Sequence, residues 1–188
     1  SAIHDKAVSS YPGSEVQLSL VQIKPKKVFV LGNVINPGSY GVNAFATAIN
    51  ALITSGGLQA NSSLRNLVIN SSNQQQESLD LYDFLIDGKT DSDILLSDGD
   101  TVLVKGIEKS VTIFGEVIRP AIYEIKSGET IKDVLNFALG YTDIADKQNI
   151  TLHRRNSLGQ ITTMQINQSN LSNFEVEGGD KLIVNSMI

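Results

Sequence analysis

An α+β fold built twice, each copy a mixed sheet packed on one main helix, is predicted by three observations on this chain. A ten-residue string recurs further along the sequence. Within each copy the apolar residues change from strand-like alternation to helical spacing, and Gly, Pro, Asn and Asp punctuate both copies at matching places.

The recurring string is Val28-Phe29-Val30-Leu31-Gly32-Asn33-Val34-Ile35-Asn36-Pro37 and Val111-Thr112-Ile113-Phe114-Gly115-Glu116-Val117-Ile118-Arg119-Pro120, with Gly32 and Gly115 83 positions apart. The same spacing relates Tyr40 to Tyr123, Thr47 to Thr130, Leu52 to Leu135 and Gly57 to Gly140, and it still holds between residues 66–69 and 149–152. Beyond the next loop it falls to 80, matching residues 96–104 to 176–184. A three-residue change of loop length costs little, because closure entropy grows slowly with length. The chain divides accordingly into an N-terminal segment, 1–25, a first repeat, 26–106, and a second, 107–188. Residues 106–109 leave little linker, so a fixed pair is expected rather than tethered beads.

Each copy reads in the same order. The β-branched run from Val28 is a strand, and Asn36-Pro37-Gly38-Ser39 turns the chain into a short strand ending at Val42. Pro120-Ala121 replaces Pro37-Gly38 in the second copy, so this turn needs no positive φ at its second position. The first helix is expected from Thr47 to about Ser55, with Ala48, Ala51 and Leu52 inward and Gly56-Gly57 as its stop. In the second copy Thr130 caps, Asp133 holds the third helical position, and Ile131, Val134, Leu135, Ala138 and Leu139 form one apolar face, with Gly140 as the stop. Strands at 66–70 and 149–153 follow, then a short helix at 79–86 in the first copy. A Gly-Asp turn, stabilised by Asp100 or Asp180, leads into final strands at 101–105 and 181–185. Residues 15–20 alternate polar and apolar, which predicts a strand added to the first sheet, and Lys24-Pro25-Lys26 separates it from the next. This order of elements is the β-grasp arrangement. Gly32, Pro37, Gly57, Asp100, Gly115, Pro120, Gly140 and Asp180 are the residues assigned to turns and fold. A domain of this size buries only about 60% of its unfolded surface, so each copy gains stability by docking on the other.

Composition narrows the function. A net charge of -5 and a pI near 5.0 argue against nucleic acid and anionic lipid as partners, whose recognition needs a basic surface. No apolar run approaches the roughly 20 residues that cross a bilayer, and the first ten residues lack a signal pattern. The absence of cysteine removes disulfides, thiolate zinc sites and a thiol nucleophile.

The strings Val28-Phe29-Val30-Leu31-Gly32-Asn33-Val34-Ile35-Asn36-Pro37-Gly38-Ser39-Tyr40 and Leu52-Ile53-Thr54-Ser55-Gly56-Gly57-Leu58 resemble the SLBB (soluble ligand-binding β-grasp) repeat of bacterial Wza-like outer-membrane polysaccharide export proteins. Leu79-Asp80-Leu81-Tyr82-Asp83-Phe84-Leu85, followed by Leu96-Ser97-Asp98-Gly99-Asp100, is similar to the continuation of that repeat in larger members. The resemblance spans residues 16–186. It implies a periplasmic part of an outer-membrane-associated export protein, with repeats stacked as rings around the path of capsule or exopolysaccharide. It also implies three kinds of partner: other copies of the chain, other export components, and the polysaccharide.

Chemistry-bearing constellations are sparse. His4 and His153 lie in unrelated contexts, and no motif joins them into a metal or nucleophile site. The aspartates at 80, 83, 87, 91, 93, 98 and 100 fail the spacing of an EF-hand loop and read as turn and helix-end residues. No metal, cofactor or catalytic residue is expected. A glycan-cleaving enzyme needs two carboxylates facing each other across roughly 5–10 Å, which makes Glu116, Glu124 and Glu129 the groups to inspect. Tyr40, Tyr123, Tyr141 and Arg119 are the candidate glycan contacts, because aromatic faces stack on pyranose rings while Arg supplies oriented donors. For Tyr40 and Tyr123 the shared place after a turn favours a role in the fold. The sequence supports an assembly module of a polysaccharide export protein first, and a carbohydrate-binding module second.

Overall fold

A computed structural model describes residues 24–187. The first unit runs β1 (Lys26–Gly32), β2 (Gly38–Val42), α1 (Ala48–Thr54), β3 (Ser62–Asn70), β4 (Gln76–Leu79), α2 (Leu81–Leu85) and β5 (Thr101–Gly106). The second runs β6 (Ser110–Gly115), β7 (Ala121–Glu124), α3 (Ile131–Phe137), β8 (Ala145–Arg155), β9 (Ile161–Asn167), a 3₁₀ turn (Gln168–Asn170) and β10 (Lys181–Ser186). Each unit forms a five-stranded mixed sheet, ordered β2-β1-β5-β3-β4 and β7-β6-β10-β8-β9. At the centre of each, the first and last strands pair in parallel, Leu31 beside Leu103 and Phe114 beside Ile183. The outer pairs are antiparallel. Two tandem α+β domains of β-grasp topology are therefore what the chain forms.

Alternation decides which side each strand buries. Val28 and Val30 in β1, and Val111 and Ile113 in β6, face the helix side and are essentially inaccessible. α1 buries Ala48, Ala51 and Leu52 against the first sheet, and α3 buries Ile131, Val134 and Leu135 against the second. Both helices start with a reciprocal capping box, Thr47 with Asn50 and Thr130 with Asp133. Their first free amides are satisfied from the strap before the last strand: Ala48 donates to the Ile94 carbonyl at 2.8 Å and Ile131 to that of Phe174 at 3.0 Å.

Two positions in each copy demand a special backbone. Gly32 and Gly115 have φ of +84° and +88°, and a Cβ there would stand 2.1 and 2.0 Å from the carbonyl oxygens of Val104 and Val184. The chain turns away from the central strand at this point, and the amides of Asn33 and Glu116 donate to those same carbonyls. Only glycine fits both the angle and the approach. Each helix then ends in a Schellman motif. In α1, Gly56 and Gly57 donate to the carbonyls of Ile53 and Leu52; in α3, Leu139 and Gly140 donate to those of Asn136 and Leu135.

This second helix end corrects the sequence reading. Leu139, placed on the apolar face by its spacing, lies outside the helix at φ +63° and is 41% exposed. The helix closes at Phe137 with Ala138 as its cap, so the first left-handed residue of the stop is Leu139 itself, ahead of Gly140. The short helix also starts later than its apolar pattern suggests: Leu79 ends β4 and Asp80 caps α2 by accepting from the Tyr82 amide. The strand expected at 15–20 lies outside the described residues. Asp100 and Asp180 are both 1% exposed. Asp100 accepts from the amides of Ser97 and Ser72, and Asp180 accepts from the Glu177 amide and from Arg154.

Replacing Leu139 by glycine removes the left-handed strain and is expected to stabilise the protein by about 0.5–1 kcal/mol. Gly115→Ala, by contrast, is expected to cost about 3 kcal/mol or more, since it adds a clash to a disfavoured angle. Urea-unfolding midpoints of the two variants check both signs.

Candidate functional site

The most elaborate constellation of side chains lies where the two domains meet, and it begins with an irregularity in β3. Ser62 pairs with Gly106 but Leu67 pairs with Val104, so residues 63–66 bow out of the ladder. The Ser63 hydroxyl holds the bow by accepting from the amides of Arg65 and Asn66. The same hydroxyl donates to the Glu124 carboxylate of β7 at 2.6 Å, and the Leu64 amide donates to its other oxygen at 2.8 Å. Glu124 is thereby buried by the neighbouring domain and satisfied there.

Arg65 is the centre of the joint. Only 8% exposed, it donates through Nε to Asp80 and through Nη1 to the backbone carbonyl of Glu124. Both Nη atoms reach the Glu129 carboxylate at 2.7 Å, a bidentate pairing across the domain boundary. Burial alone would lower the guanidinium's pKa, but the hydrogen bond to Glu129 and the charge of Asp80 outweigh it and raise the pKa above the usual value. The guanidinium carbon also sits 4.6 Å from the ring centre of Tyr82 and 5.0 Å from that of Phe137. The guanidinium thus packs into the corner formed by two mutually edge-on rings, one from each domain. Lys126 adds a second cation against Asp80 at 2.6 Å.

Tyr82, in the short helix α2, is the anchor. Its ring leaves the first domain and joins the core of the second, edge-on to Phe137 at 5.1 Å and to Tyr123 at 6.5 Å. Its hydroxyl accepts from the Glu124 amide at 2.9 Å. Burial pushes the Tyr82 phenol up to about 12.

The residues singled out from sequence do not assemble into one site. Tyr40 and Tyr123 play the same part in their copies, each donating its hydroxyl to the carbonyl four residues back, Asn36 and Arg119 respectively. Tyr123 is 6% exposed and covered by Tyr82 and Phe137, so its ring offers no open face to a sugar. Tyr141 is half-buried with its hydroxyl unbonded among the described residues, and Arg119 is exposed. Of the three glutamates, Glu124 and Glu129 are engaged in the joint, and Glu116 accepts from the Thr142 hydroxyl at 2.6 Å. His153 sits in β8 opposite Lys181 and Thr163. Among the described residues no group of three or more His, Asp or Glu side chains is placed to hold a metal ion.

Sequence reasoning missed Arg65, Glu124 and Tyr82 as a unit. One signal was available: at the 83-residue spacing Arg65 answers to Gln148, and the strand registers set Asp80 opposite in role to Asn167. The copies differ where the joint lies.

Arg65→Ala leaves the Glu129 carboxylate and the Glu124 carbonyl without their donor, with Lys126 alone against Asp80, and is expected to cost about 3–5 kcal/mol. Tyr82→Ala, which opens a void in the second core, should cost about the same. Either variant separates one cooperative unfolding transition into two, which calorimetry resolves. Because the folded pKa of Tyr82 is raised above the ordinary phenol value of 10.0, its contribution is complete below pH 10 and is lost as pH climbs through about 12. Tyrosinate absorbance should show one phenol ionising only near pH 12, and Tyr82→Phe should abolish that step.

Comparison with known proteins gives the fold its family. Residues 26–104 match one profile described as "SLBB domain", and residues 110–166 match a second with the same description. Two curated proteins, both named Polysialic acid transport protein KpsD from Escherichia coli, are each 30% identical over 176 residues. The alignment covers 91% of this chain but 30% of each relative, so the chain spans under a third of the length of the curated relatives it matches. With two profile matches laid end to end over its two sheets, the chain belongs to the SLBB family and carries two SLBB domains in tandem.

Proposed function

We propose that this chain is an assembly segment of a polysaccharide export protein, a rigid two-domain spacer that stacks beside copies of itself around the export path in the periplasm. The observation that carries the reading is the joint. Two small domains joined by three residues between β5 and β6 are clamped by a buried arginine that pairs bidentately with Glu129 and packs beside a ring from each domain. An interface of this kind fixes relative orientation, which a ring of repeated subunits requires and a flexible linker would not supply. The likeness to a polysialic acid transport protein supports polysaccharide export as the setting. That the joint glutamates are bound to partners supports a role without turnover, since catalysis needs carboxylates turned toward a substrate. Among the described residues no helix is long and apolar enough to cross a membrane.

The test is made in the full-length parent protein. Tyr82→Ala and Arg65→Ala are expected to lower surface polysaccharide several-fold per molecule of protein, with the protein level read in parallel, and cysteine pairs placed on adjacent subunits should lose their cross-linking. Normal export from both variants would overturn the reading.

A further inference from the structure

We propose that the open face of the second sheet is a glycan-binding face, with the ring of Phe114 as a stacking platform and the amides of Gln165 and Asn185 as fixed hydrogen-bonding groups for uncharged pyranose units. The inference deepens the export reading and rests on it. Side chains at odd positions of β8 and β9 point away from the helix, because Ile150, Leu152 and Ile166 fill the core. Across this open face runs one row of directly paired residues: Phe114 of β6, Ile183 of β10, Thr151 of β8 and Gln165 of β9. Three strand spacings make the row about 14 Å long.

The middle of the row is polar where the fold does not require it. Thr151 is 8% exposed, and its hydroxyl accepts from the Gln165 amide at 2.9 Å and from the Asn185 amide at 3.5 Å. At the equivalent place in the first sheet stands Val68, 4% exposed, within an apolar row of Leu31, Leu103 and Val68. The same fold thus closes with a valine in one copy and a hydroxyl in the other, and burying a hydroxyl that must be bonded confers no advantage on packing. What the hydroxyl does achieve is to hold two amides in set orientations on an open surface, each keeping further hydrogen-bonding capacity outward.

The rest of the row fits the same ligand. Phe114 is 39% exposed, so part of its ring face is available for the apolar side of a sugar. Below the row, Asn149 faces Asn167, another uncharged amide pair, and the groove beside them is completed by Gln148, Gln168 and Ser169. These are the positions that carry Arg65, Asp80 and Tyr82 in the first copy, where they form the joint. In the second copy amides and a hydroxyl stand in their place. Amide and hydroxyl groups without charge select vicinal sugar hydroxyls over carboxylates.

The experiment titrates the chain, isotopically labelled for amide NMR, with the neutral oligomers maltoheptaose, cellohexaose and mannohexaose, and separately with polysialic acid oligomers. At least one neutral oligomer is expected to shift the side-chain amides of Gln165, Asn185, Asn149 and Asn167 with an affinity of about 1–10 mM. Phe114→Ala should weaken that affinity about fivefold, and Gln165→Leu should abolish the shift at Asn185 while the unfolding temperature is retained. Silence toward all three neutral oligomers, shifts centred on Tyr40, Tyr141 or Arg119, or stronger binding of polysialic acid would each overturn the proposal. Because export in cells is measured on the joint variants, a silent titration beside impaired export removes this face alone, and normal export removes the assembly reading alone.

Discussion

A guanidinium taken out of water needs compensation on every side, and the environment of Arg65 supplies it. Its nitrogens meet two carboxylates and a backbone carbonyl, and two aromatic rings pack beside it. The partners come from both domains: Asp80 and Tyr82 from the first, Glu129, Phe137 and the Glu124 carbonyl from the second. Separating the domains would break the bidentate pair and pull the Tyr82 ring out of the second core at once, so opening the joint costs more than breaking a surface ion pair. The relative orientation of the two sheets is held by this group together with the Tyr82 ring and the Ser63 and Leu64 bonds to Glu124.

The joint uses features that the fold provides twice but completes only once. Both β3 and β8 bow out of register near their starts, and a side chain at the same place in each, Ser63 or Asp146, accepts the following amides. In the first copy the bow presents Arg65 and lets Ser63 reach Glu124. In the second it presents Gln148. On the receiving side, Tyr123 and Phe137 of the second domain answer to Tyr40 and Thr54 of the first, so the acceptor surface lacks a second ring and a carboxylate there. Within this pair the donor key is on the first domain and the acceptor key on the second, so the two copies are not interchangeable at the joint.

Much of the architecture was legible because the local physics is repeated. Val28 and Val30, like Val111 and Ile113, alternate as half-buried strands must, and the capping pairs at Thr47 and Thr130 mark both helix starts. The helix stop at Leu139 was misread because a 3.6-residue period continues to fit an apolar residue after the backbone has turned left-handed. Fold duplication also explains Tyr40 and Tyr123, whose hydroxyls tie down the turns before them. Neither the joint nor the amide row could be seen in this way. Arg65, Tyr82 and Glu129 are separated by tens of residues, and no spacing rule links a strand bow, a one-turn helix and a helix start in another domain.

The amino-acid order by itself determined the two-fold repetition, the strand and helix identities, and the glycine positions where the backbone passes a carbonyl, because these follow from periodicity and φ preferences between near neighbours. Only the tertiary structure decided which charged and aromatic residues are buried. Burial depends on what a distant segment places over a side chain, and that distance in sequence carries no local signature.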